Sequence, residues 1–76
     1  MQIVMIEWED SCSNHGWTEI SNATYCKPAP CVTAGIVIHE DSNKITVGLT
    51  VGEGTFSESM TIPRGCIKRI RKLKVS

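Results

Sequence analysis

Between Lys44 and Thr61 the chain alternates apolar and polar residues twice, with one glycine-flanked break between the two runs. In the first run, Ile45, Val47, Leu49 and Val51 fall on one side and Thr46, Gly48 and Thr50 on the other. In the second, Phe56, Glu58 and Met60 oppose Ser57, Ser59 and Thr61. A period of two is the signature of a half-buried antiparallel strand, because successive side chains leave opposite faces of a pleated backbone. Gly52-Glu53-Gly54 supplies the hairpin loop between the runs. A chain with such a hairpin at its centre must bury one face of a sheet, which excludes a helical bundle.

The flanking segments extend the pattern. "QIVMIEW" is a β-rich opening without a helix signal, and "CVTAGIVIHED" reads as a second strand whose Gly35 marks a bend or a close backbone approach. Asp41-Ser42-Asn43-Lys44 forms the turn into the alternating region, with Asp and Asn expected to take the awkward backbone angles. Ile36, Val37 and Ile38 are consecutive, so they cannot all face one side of a strand. At least one is expected to meet a partner or a covering loop. Near the end, Pro63-Arg64-Gly65 forces a tight turn. The following "CIKRIRKLKVS" repeats Ile67, Ile70 and Leu73 every third residue, which fits either a short helix or a 3₁₀ turn and a closing strand. The second is favoured, because strand, hairpin, strand, tight turn and strand is the order in which small five-stranded barrels close. The expected fold is one all-β domain over residues 1–76, a five-stranded SH3-like or Sm-like barrel. A long loop, Glu9 to Pro30, would separate strands one and two, and a short 3₁₀ turn would precede the last strand. Closure would also remove exposed sheet edges.

Seventy-six residues are near the lower limit at which one core holds without staples. Self-association, as a dimer or small ring, is therefore expected as a source of stability. No apolar run is long enough to span a bilayer. The N-terminus lacks the features of a signal peptide, so a cytoplasmic location is expected.

A further resemblance rests on Trp8-Glu9-Asp10-Ser11 followed by Gly16-Trp17, on "VTAGIVI", and on "IPRGCIKRI" from Ile62 to Ile70. With these motifs the chain resembles small proteins of tailed phages and prophages, over most of its length. The resemblance implies a phage or bacterial origin, hence a host cytoplasm, and a small β fold. It carries no catalytic residue across. Other phage proteins of this size include defence inhibitors that trap nucleotide signals, an analogy at the level of class.

The residues allow four kinds of chemistry. Zinc would draw on Cys12, His15, Cys26 and Cys31, but the spacings Cys12-x₂-His15 and Cys26-x₄-Cys31 do not make typical paired knuckles, and metal is not expected. Cys66 reads as a small core residue, and a Cys26–Cys31 disulfide is disfavoured in a reducing compartment. Nucleophilic catalysis could in principle use the cysteine, histidine and acids of "EDSCSNHG". No hydrolase elbow, metalloprotease, phosphate-loop or dinucleotide motif accompanies them, and so small a barrel offers little cleft, so neither enzyme nor cofactor is expected.

Charge gives the third. The formal net charge is zero, yet all eight acids lie at or before Glu58, while Arg64, Lys68, Arg69, Arg71, Lys72 and Lys74 crowd the C-terminal end. A basic cluster of this kind suits an anionic partner, or simply the protein's own acids. A nucleic-acid-binding or virion-associated structural barrel that uses this segment, through Arg69, Arg71, Lys72 and Lys74, is the alternative reading, although no aromatics interleave with them. The fourth is the long loop, which carries or borders both tryptophans and the only tyrosine. Trp17 and Tyr25, with Ser11 and Asn14 and basic help from Arg64 or Lys68, would suit a small anionic ligand or a host protein. Trp8, ending strand one, is expected to point inward. The leading expectation is thus a small phage-encoded, non-enzymatic binding protein that acts on the host, as a defence inhibitor or by occluding a host protein.

Overall fold

The computed structural model describes residues 1–10, 17, 19–21 and 28–74. Five antiparallel strands form one sheet: β1 (Ile3–Asp10), β2 (Ala29–Glu40), β3 (Lys44–Gly52), β4 (Thr55–Pro63) and β5 (Ile67–Leu73). The order across the sheet is β4-β3-β2-β1-β5. A single 3₁₀ turn, Arg64–Cys66, joins β4 to β5. The alternation in the sequence maps directly onto the β3–β4 hairpin, where Ile45 lies opposite Ile62 and Val47 opposite Met60. Thr46 and Thr61 share a hydroxyl hydrogen bond of 2.8 Å on the other face.

The buried core is Val4, Ile6, Ile45, Val47 and Ile62, drawn from β1, β3 and β4. Since β2 and β3 separate β1 from β4, the sheet must bend for these side chains to meet. Two glycines permit close layering. A Cβ at Gly35 would lie 3.0 Å from both the Val47 Cβ and the Gly48 carbonyl oxygen, and one at Gly48 would lie 3.2 Å from the Ile38 Cδ1. Gly35 therefore marks a close approach, as its place in a strand suggested.

The ladder is open, and this corrects the expectation of a barrel without edges. No hydrogen-bonded ladder joins β4 to β5 among the described residues. Pro63, at the end of β4, has no N–H to donate, and the 3₁₀ turn then carries the chain over to β1, where β5 pairs.

The Ile36-Val37-Ile38 run is also resolved differently from expectation. The register shifts between Val37 and His39, leaving Ile38 as an extra residue. Such a bulge puts two residues opposite one, so the side chains on either side need not alternate. All three are half-buried, with Ile38 lying over Gly48, so this run does not itself call for a partner.

A second bulge explains the spacing of Ile67 and Ile70 in β5. Ile67 lies opposite Trp8 and Ile70 opposite Ile6, with Lys68 as the extra residue between them. Both isoleucines then pack against the core at a spacing that imitates a helix.

The β2–β3 turn works through a side chain. Asp41 Oδ1 accepts the Asn43 and Lys44 backbone N–H groups at 2.8 and 2.9 Å, and Oδ2 sits 2.9 Å from His39 Nε2. Neither Asp41 nor Asn43 has a positive φ, so the aspartate acts by hydrogen bonding and not by an unusual backbone angle. The His39 ring and then the two N–H groups hold the Asp41 carboxyl at about 2, below its ordinary 3.8. A depressed carboxyl stabilises the fold above its unfolded value, and the gain is lost as pH falls through the folded one. Asp41→Ala should therefore lower the thermal midpoint at pH 6, and the gap from the parent should close as the pH approaches about 2. Melting curves of both proteins across that range test it; a gap independent of pH would refute the assignment.

Candidate functional site

A shallow apolar cleft of about 260 Å³ opens where β1 and β2 give way to the segment between them. Its walls are Trp8, Pro30, Cys31 and Val32, with Glu7 and Lys68 at the polar side. Trp8 is half-buried. It packs against the core, and its indole N–H donates to the Thr33 hydroxyl at 3.0 Å. The pairing follows from register: Trp8 lies opposite Cys31 on β2 and Ile67 on β5. Trp8 is therefore both a core contact and a cleft wall, and the sequence reading captured only the first role. The signal that could have revealed the second was available, since Pro30-Cys31-Val32 pairs with the Trp8 end of β1 once the strands are aligned.

Lys68 stands at the β5 bulge. Its ammonium lies 2.6 Å from Glu9 Oε1, with both side chains partly solvent-exposed. An exposed pair of this kind contributes little to stability, roughly 0–1 kcal/mol, so an incoming anion can displace the glutamate at small cost.

The remaining candidates separate into three groups. Arg64 is engaged elsewhere: its Nε donates to the Asp41 carbonyl at 3.0 Å, its guanidinium sits 3.5 Å from Glu40, and its backbone N–H donates to Asn43. It clamps the 3₁₀ turn onto the β2–β3 turn. Trp17 is fully exposed. Ser11, Asn14 and Tyr25, and the zinc candidates Cys12, His15 and Cys26, lie outside the described residues. Among the described residues, no group of three or more His, Cys, Asp or Glu could hold a metal ion. Cys31 and Cys66 are free, half-buried thiols.

The C-terminal cations do not form one stripe. Directly opposed residues in an antiparallel pair share a face. Arg69 and Arg71 lie opposite Glu7 and Met5, whereas Lys72 lies opposite the buried Val4. Their charges therefore divide between the two sides of the sheet. Among the described residues, no acid lies within ion-pair distance of Arg69, Arg71, Lys72 or Lys74. No helix of the described residues is long and apolar enough to cross a membrane. Comparison of the chain with protein-family models, curated proteins and solved structures finds no match.

Proposed function

We propose that this chain is a small non-enzymatic binding protein of phage or prophage origin. In this reading it works in the host cytoplasm by sequestering a small anionic ligand with a flat ring. The observation that carries the proposal is the cleft beside Trp8, apolar on its walls and bordered by a lysine paired, among the described residues, with an exposed glutamate. A planar ring would lie against Trp8, Pro30 and Val32 while its anionic group takes the place of Glu9 on Lys68. The volume, about 260 Å³, suits a single ring system better than an extended chain. Trp17 and Tyr25, with Ser11 and Asn14, lie between β1 and β2 in the sequence and are kept in this reading as further contacts. The SH3-like or Sm-like assignment also belongs to this proposal, supported by the strand order, the bent sheet and the 3₁₀ turn before β5.

Calorimetric titration with a panel of nucleoside mono- and diphosphates tests the reading. Binding of at least one should weaken roughly tenfold or more in Lys68→Ala, the effect of losing a charge-assisted hydrogen bond. It should change far less with added salt than binding to a phosphate backbone would. Failure of every nucleotide to bind, or binding indifferent to Lys68, would refute it. A steep salt dependence with loss in Arg69→Ala and Arg71→Ala would favour the nucleic-acid alternative instead.

A further inference from the structure

The two outer strands of the sheet carry opposite charge. β4 contains Glu58, follows the loop bearing Glu53, and has no cation. β5 contains Lys68, Arg69, Arg71 and Lys72, is followed by Lys74, and has no acid. Among the described residues each strand is bonded to one neighbour, β4 to β3 and β5 to β1, so each presents a row of backbone donors and acceptors with no described partner.

The sheet face beside β4 is also uncovered. Ile45 and Val47 are buried, but Leu49, Phe56 and Met60, which continue the same alternating face, are 69, 51 and 45 % exposed. A groove of about 240 Å³ runs over this region, with Thr33, Leu49, Glu58 and Met60 among its lining. At the other edge Ile70 is half-buried, and Leu73 is 43 % exposed.

We propose that β4 of one copy pairs with β5 of a second copy, extending the sheet head to tail and setting new neighbours beside Phe56 and Met60 on the edge strand. Charge selects this arrangement over the symmetric ones. Pairing β4 with β4 would set Glu58 and Glu53 against their own copies, and pairing β5 with β5 would oppose two clusters of cations. Like charges facing across strands are destabilising, and opposite charges are favourable. The left-handed φ of 50° at Glu58 interrupts the run of β4. β4 nevertheless pairs with β3 on both sides of Glu58, and across the new edge the charges help fix the register. A head-to-tail contact uses two different surfaces on each copy, so it closes into a ring or continues as a filament.

Sedimentation velocity from low to high micromolar concentration tests the arrangement. The parent should associate with increasing concentration. Glu58→Lys, and separately Arg71→Glu with Lys72→Glu, should each weaken association roughly tenfold or more. The substituted side chains are exposed, so circular dichroism should show the fold intact. An equimolar mixture of the two variants should regain association, because each then supplies the charge the other lacks. A parent that stays monomeric throughout would overturn the proposal. So would association indifferent to both variants, or strengthened by Glu58→Lys, which would mark β4–β4 pairing.

Discussion

Ile62→Ala should bring this protein close to unfolding at physiological temperature. Ile62 is completely buried, opposite Ile45, in a core of five buried aliphatic side chains among the described residues. Truncating a buried isoleucine costs about 2–5 kcal/mol, from lost transfer energy and from the cavity left behind. A domain of this size seldom holds more than about 3–5 kcal/mol in total. The thermal midpoint should accordingly fall by more than about 10 °C. Met60→Ala is the matched comparison. It alters the same strand and the same face two residues earlier, but Met60 is 45 % exposed, so its midpoint should move much less. Equal losses from the two substitutions would show that the distal half of the hairpin is covered as thoroughly as the core.

The tryptophans should divide just as sharply. Trp8→Ala removes an indole that packs on the core and donates to Thr33, leaving the hydroxyl without that partner. The expected cost is about 3 kcal/mol, the low end of the range for truncating a large aromatic because Trp8 is only half-buried. Trp17→Ala, at a fully exposed position, should leave the midpoint almost unchanged. Thermal denaturation of both variants checks this, and the titrations described above separate stability from binding. Under the proposed function, Trp8→Phe should keep most of the fold while weakening ligand binding. A folded Trp8→Ala beside an unfolded Trp17→Ala would reverse the assignment.

The legibility of the fold in the sequence varied with how local its cause was. Alternation through Ile45 and Val47 and the glycines at 52 and 54 were sufficient for the hairpin, because period and turn chemistry act over a few residues. The tight turn at Pro63-Arg64-Gly65 was readable for the same reason. The two bulges were not. Ile36 to Ile38 looked like an excess of apolar surface, and only the β2–β3 register shows that Ile38 is a surplus residue lying over a glycine. The position of β5 beside β1, which leaves the sheet open, likewise depends on contacts across nearly the whole chain. The site divides along similar lines. Lys68 was identifiable as a candidate cation, but its partner Glu9 comes from the far end of the chain. Arg64 looked equally available by charge alone, yet geometry commits it to the β2–β3 turn.

The place of β1 has a consequence for the order of assembly during folding. β1 precedes β2, β3, β4 and β5 in the chain but lies inside the sheet, with Ile3 opposite both Ile36 and Leu73. Its β2 side is satisfied by a nearer segment of the chain, while its other side waits for β5. Until then Ile6 and Trp8 lack Ile70 and Ile67, and one full row of β1 amides faces water. Closing such a distant pair carries a large loop entropy, which makes it a late and comparatively slow event. A chain in which β5 has not yet docked would therefore display a sticky strand along β1, the stage at which this small protein is most exposed to misassociation.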